Sequence, residues 1–182
     1  KPCSMPARPL SILHVRRALG PVHAGRIVAG GRALPCALGR GGLRPAALKR
    51  EGDGATPIGR FRILRQWRRP DRWRILVAGL PSRRIGRDDG WCEKPGDRLY
   101  NRPVKIAPGA PFDHLWREDR LYDLILEIDH NARPRVAGRG SAVFVHLCRP
   151  GRTPTAGCVA LEPADLRRLL PRLSGRTTLV ID

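Results

Sequence analysis

Short apolar runs, broken by glycine and proline, set the rhythm of this chain. "SILHV" (11–15), "RIVAG" (26–30) and "ALPCAL" (33–38) predict an opening β meander. "GRFRILRQW" (59–67) sets Phe61 and Ile63 against arginines with period two, the pattern of a half-buried strand. "WRILVAG" (73–79) is expected to pair with it through "RRPDR", where Pro-Asp supplies turn chemistry. "LYDLILEID" (121–129) and "SAVFVHL" (141–147) are the strongest strand patterns, and "TTLVI" (177–181) closes the chain. One segment has a helical period. "EPADLRRLLPRL" predicts a helix over 163–173, with Pro163 in its first turn and Leu166, Leu169 and Leu170 on one face. Glu162 and Asp165 suit the positive end of its dipole, and Pro171 should end or bend it. Residues 81–118, rich in Pro, Gly and Asp, read as a long loop insertion. The expectation is one mainly β domain over 9–182, capped by a C-terminal helix and preceded by a tail over 1–8.

Length and charge narrow the picture. A chain of 182 residues suits one domain with a real core. No apolar run reaches the roughly 18 residues of a membrane helix, so no transmembrane segment is expected. No signal peptide is visible in this chain. The net charge is +19, and of the 35 basic residues all but Lys1, Lys49, Lys94 and Lys105 are arginine. Clustered arginine neutralises phosphates, which raises nucleic acid as a partner. These arginines run from Arg8 to Arg176 without a basic helix or an aromatic RNA-binding signature, so solvated surface charge is favoured and no specific nucleic acid is expected.

The five cysteines, Cys3, Cys36, Cys92, Cys148 and Cys158, form an odd set without a CxxC pair. That argues against zinc ribbons and thioredoxin-like motifs, while up to two disulfides stay open. "GDGATPIG" reads as a hairpin turn, since no Lys-Ser/Thr follows as a phosphate loop requires. Asp88, Asp89 and Asp97 lack metal-binding spacing and read as surface acids.

"VHLCRPGRTPTAGCVAL" (145–161) carries the candidate chemistry. Alternation puts Phe144, His146 and Cys148 on one face of a strand, with Val143, Val145 and Leu147 on the other. Alone, His146 would be a satisfied core residue and Cys158 a buried structural thiol. Together they change the balance. A strand histidine, a Pro/Gly/Arg loop and Gly157-Cys158 entering the next strand would set thiol beside imidazole, and that pairing favours the nucleophilic thiolate. Small residues before Cys158 leave backbone N–H groups free to grip an oxyanion. Cys148 has three readings: a bond to Cys158, a bond to Cys92, or packing, of which packing is favoured. A zinc site built from His146, Cys148 and Cys158 lacks a fourth ligand at ribbon spacing, so no metal is expected.

These residues carry a resemblance. A strand histidine followed by "TAGCVAL" resembles the signature of the YkuD-type L,D-transpeptidases, in a bacterial subgroup with Thr-Ala-Gly-Cys in place of Ser-His-Gly-Cys. "KREGDGATPIGRF" (49–61) resembles that family's Thr-Pro-x-Gly-x-Phe turn, and "DDGWCEKPGDRLYNRPV" (88–104), "LYDLILEIDHN" (121–131) and "GRGSAVFVH" (138–146) are similar to the same subgroup. The resemblance implies a YkuD-like β sandwich and a cysteine acyltransferase acting on peptidoglycan stem peptides in the periplasm or cell envelope, without cofactors. It makes Cys158 the nucleophile, His146 its base and the Leu147 carbonyl the group that orients the imidazole. Gly157 and Cys158 would supply oxyanion N–H groups, Thr155 and Ala156 would border the substrate, and Tyr122 and Arg139 would line the cleft. Ala156 stands where the motif has a second histidine, Ala160 where the family often has Arg or Asn, and the His146–Cys158 interval is shorter than usual. Those departures bear on the acceptor step and on carboxylate recognition. Two rivals stand beside this reading: a thiol L,D-carboxypeptidase of the cell wall, and an arginine-rich binder of anionic polymers or nucleic acid.

Overall fold

The computed structural model describes residues 9–107, 110 and 112–182; the tail over 1–8, Cys3 included, lies outside the described residues. Three strands open the chain, β1 (Ile12–Arg17), β2 (Ala24–Ala29) and β3 (Arg32–Ala37). They are followed by the short β4 (Leu43–Pro45), the long β5 (Thr56–Arg68) and β6 (Ser82–Arg84). Then come β7 (Asp89–Cys92), β8 (Arg102–Lys105) and β9 (Asp113–His114). The last strands are β10 (Leu124–Ile128), β11 (Phe144–Leu147), β12 (Val159–Leu161) and β13 (Thr178–Ile181), with α1 (Pro163–Leu169) between the final two. The protein is mainly β with one C-terminal helix, as the periodicities predict.

The main sheet runs β10-β11-β12-β3-β2-β1-β13-β5 and returns, because β5 also pairs with β10. The length of β5 makes this closure possible. Gly59–Arg62 pairs with β13, while Ile63–Arg68 pairs with β10 across a register irregularity at Glu127/Ile128. Strand alternation then sends side chains to two separate cores. Leu124, Leu126, Val143, Val145 and Leu147 join Leu13, Val15, Ile27, Leu179 and Ile181 in the larger one, which α1 completes with Leu166 and Leu169. Ile125 and Phe144 point the other way, into a smaller core with Trp67, Trp91, Leu115, Tyr122 and Cys158.

Two expectations need correcting. Residues 73–79 form no strand, although Trp73 and Val77 are buried in the larger core. The flanks of β5 over 66–68 are taken by β10 on one side and by β6, in parallel, on the other. The Val77 N–H therefore finds the Gln66 side-chain oxygen at 3.2 Å. The insertion over 81–118 is also not all loop, since β7 pairs with both β8 and β9 in a three-stranded sheet. Its residues Trp91 and Leu115 complete the smaller core. The helix matches its expected span, with α1 continuing as a 3₁₀ turn over Leu170–Arg172 and Pro171 at the change. Among the described residues no helix is long and apolar enough to cross a membrane.

Candidate active site

Parallel pairing of β11 with β12, His146 opposite Ala160, brings the residue just before β12 alongside the histidine strand. That residue is Cys158. His146 lies on the smaller-core side of β11, where the Tyr122 ring meets its imidazole edge-on at 5.3 Å and the Phe144 ring at 6.1 Å. Its Nδ1 is 2.7 Å from the Leu147 carbonyl oxygen. A carbonyl only accepts, so Nδ1 carries the proton and Nε2 keeps its lone pair. Burial pushes the imidazole down to about 4, so it is neutral at physiological pH.

The turn carrying Cys158 is clamped by two threonines. Thr155 docks through its backbone, accepting from the Arg40 N–H at 2.9 Å and donating to the Leu38 carbonyl at 2.9 Å. Its hydroxyl donates to the Cys158 carbonyl at 2.7 Å and accepts the Gly157 N–H at 3.1 Å. Thr56 Oγ1 donates to the same carbonyl at 3.3 Å while accepting the Gly39 N–H at 2.8 Å. Gly157 stands at φ +141°, and a Cβ there would lie 2.9 Å from the Ala55 carbonyl oxygen, so glycine is required.

Cys158 is 6 % exposed. Its thiol donates to the Ala142 carbonyl at 3.2 Å, and Sγ accepts the Phe144 N–H at 3.4 Å. Burial pushes the thiol up to about 12, reinforced by the charges of Asp113 and Glu93. The expectation of a thiolate held by the imidazole is therefore corrected. Among the described residues no hydrogen bond joins Sγ to His146, and both groups are neutral because neither has a close counter-charge to offset desolvation. The Gly157 N–H is likewise not an idle oxyanion donor, since Thr155 Oγ1 occupies it; the Cys158 N–H takes part in none of the turn's hydrogen bonds.

A cleft of about 430 Å³ opens over these groups. Cys158, His146, Gly157, Thr155, Ala156 and Tyr122 all contribute to its wall. Arg139 does not. Its guanidinium donates to the Ala47 carbonyl at 3.1 Å from an exposed position, and its own carbonyl serves His130. Cys148 is part of the wall, half-buried and free, its thiol pushed up to about 11 by desolvation and then by Glu162. The other described cysteines are free as well, so Cys148 bonds neither Cys158 nor Cys92. Asp88 and Asp89 share Lys105, at 2.7 and 3.0 Å; Asp88 is an exposed acid as expected, but Asp89 is buried, its carboxylate also accepting the Gly86 N–H at 2.7 Å.

Sequence reasoning missed the charged half of the cleft. Lys49, Glu51, Glu93, Asp113 and Arg117 all reach it. Tyr122 donates its hydroxyl to Asp113 at 2.9 Å, and Glu51 accepts Ser141 Oγ at 2.8 Å and the Tyr100 hydroxyl. Glu93, at the exposed rim, is pushed up to about 7 by desolvation and by the neighbouring Asp113 and Glu51 carboxylates.

The arrangement is a buried thiol, a neutral imidazole with a free lone pair, and a hydrogen-bonded glycine turn, all open to one cleft. Such a set suits nucleophilic attack on a carbonyl. A family model, the YkuD L,D-transpeptidase catalytic domain, matches residues 22–181. No curated protein and no solved structure matches. The matched span takes in every strand of the closed sheet except β1, together with the insertion and the cleft, and the chain belongs to the YkuD family of L,D-transpeptidase catalytic domains.

Proposed function

We propose that the protein is a cysteine acyltransferase acting on peptidoglycan stem peptides in the periplasm or cell envelope. The reading rests on family membership and on one geometric observation. Cys158 and His146 open onto the same cleft, and the imidazole is locked by Leu147 in the tautomer that can accept a thiol proton.

The reaction starts from neutral partners. A stem peptide ending in D-alanine enters the cleft, and Cys158 releases the Ala142 carbonyl to face the scissile carbonyl. As the S–C bond forms, Nε2 of His146 takes the thiol proton, so charge develops only where the substrate can use it. The oxyanion falls to the Cys158 N–H and to the Gly157 N–H, which exchanges Thr155 Oγ1 for the stronger acceptor. The C–N bond then breaks, the imidazolium returns the proton to the leaving amine, and D-alanine departs from a Cys158 thioester. An amine then attacks the thioester and gives its proton to Nε2 of His146, the C–S bond breaks, and the imidazolium returns that proton to the Cys158 sulfur, leaving a 3→3 cross-link; water in the amine's place leaves a shortened stem peptide. Every step uses groups of this chain.

The test is to incubate reduced protein with a disaccharide tetrapeptide, measure free D-alanine and separate the products. D-alanine with cross-linked dimer is expected. D-alanine with tripeptide alone would make the protein a carboxypeptidase. Release of no D-alanine by folded, reduced protein would overturn the proposal.

A further inference from the structure

Lys49 is 3 % exposed, yet it forms part of the Cys158 cleft wall. Its ammonium donates to Asp53 Oδ1 at 2.5 Å and to the Arg50 carbonyl at 2.8 Å. An ammonium carries three donors, so a third N–H is left for a ligand. Its stem packs behind the nucleophile turn: a Cβ on Gly157 would lie 3.9 Å from Lys49 Cε, and one on Gly140 would lie 3.2 Å from Cγ. The charge is felt at the sulfur, where Lys49 opposes the effects of Asp113 and Glu93. A buried cation needs offsetting partners, and Asp53, only partly exposed, supplies one.

The other cations of the wall are engaged or peripheral. Arg117 forks Asp119 at 2.9 and 2.6 Å, and Arg149 reaches the same carboxylate at 3.5 Å. Arg40 is exposed and lies over Gly54, where a Cβ would be 2.7 Å from its Cγ.

The leaving residue of the proposed reaction brings a carboxylate two bonds from the scissile nitrogen. That anion must come close to Cys158 while Asp113 and Glu93 repel it. We propose that Lys49, through its third N–H, holds the terminal carboxylate of the leaving amino acid and so restricts the enzyme to free peptide ends. This rests on the acyl-transfer reading and deepens it, making Lys49 a specificity-determining residue.

The test uses two peptides, a stem tetrapeptide ending in D-alanine and the same peptide ending in D-alaninamide. Formation of acyl-protein is timed by intact mass spectrometry. Wild type should favour the acid by roughly 10–100-fold, the range of one charge-assisted hydrogen bond. Lys49→Gln should bring the acid-to-amide rate ratio down toward one, whatever loss the two peptides share, and Lys49→Arg should recover part of the preference. A lysine that only props the fold, or one that serves the oxyanion, would slow both peptides alike; an unchanged ratio in Lys49→Gln overturns the proposal. Should circular dichroism show that Lys49→Gln does not fold, the wild-type pair decides: a strong preference for the acid supports the assignment and equal rates refute it. Equal rates leave acyl transfer standing, whereas acylation by neither peptide removes both readings.

Discussion

The Cys158 thiol donates to the Ala142 carbonyl oxygen at 3.2 Å, and Ala142 holds that position with φ at +51°. A left-handed backbone costs a residue with a Cβ roughly 1 kcal/mol, so something must enforce it. Asn101 does. Its Oδ1 accepts the Ala142 N–H at 3.2 Å and the Trp91 indole N–H at 3.1 Å. Its Nδ2 donates to the carbonyls of His130 and Asn131 at 3.2 and 2.9 Å. One buried amide therefore ties the insertion, the loop after β10 and the thiol's resting partner together.

Asn101→Ala should destabilise the protein by about 3 kcal/mol, because several buried groups lose their partner at once. Urea unfolding followed by tryptophan fluorescence measures this. A loss under about 1 kcal/mol would mean that water or relaxation replaces the network.

The resting thiol should be slow to alkylate. With the group pushed up to about 12 by burial, the thiolate fraction rises about tenfold per pH unit through neutrality and above. Iodoacetamide labelling at Cys158, located by peptide mapping, should follow that slope from pH 7 to 10. A plateau at and below pH 7 would reveal a pre-formed thiolate–imidazolium pair instead.

Thr155→Val removes the hydroxyl that both closes the turn on the Cys158 carbonyl and occupies the Gly157 N–H. It should cost about 1–2 kcal/mol in stability and slow acylation about tenfold, with Thr155→Ser close to wild type. Paired urea titrations and acylation rates check both numbers. Unchanged acylation in Thr155→Val would show that the turn holds its shape without the clamp.

Two groups of the cleft give opposite pH signatures. His146 is depressed from 6.5 to about 4, so its contribution to stability is present above pH 6.5 and is lost as pH falls through 4. Glu93 is raised from 4.5 to about 7, so its contribution is present below pH 4.5 and is lost as pH rises through 7. The advantage of wild type over His146→Gln should therefore shrink from pH 6.5 to 4. Glu93→Gln should gain on wild type from pH 4.5 to 7, by under about 1 kcal/mol at its exposed rim. Urea midpoints across pH 4–8 test both signs, and reversed trends would refute the assigned protonation states.

Much of the frame was legible because strand alternation is a local signal. Val143, Val145 and Leu147 separate from Phe144 and His146 by simple parity, and Pro163 with its leucines marks the helix. "WRILVAG" failed because apolar content says that a segment is buried, not that a sheet edge is free to receive it. The three-stranded sheet of the insertion was hidden by strands of two to four residues amid Pro and Gly. In the site, His146, Cys158 and the glycine turn were readable from one short stretch. Lys49, Glu93 and Asp113 were not, since their convergence depends on long-range packing. The Thr155–Gly157 hydrogen bond had a local sign, a threonine two residues before a glycine, and it was overlooked.

The account stands on Cys158 as the atom that takes the acyl group, with His146 accepting its proton. The family resemblance implies that a carbapenem acylates the same thiol, so the direct measurement is intact mass spectrometry of reduced protein exposed to a carbapenem, for wild type, Cys158→Ala and His146→Ala. A single covalent adduct is expected on wild type and none on Cys158→Ala, with adduct formation on folded His146→Ala slowed by roughly 10²–10⁴-fold. An adduct that survives Cys158→Ala, or none on folded, reduced wild type, would contradict the account.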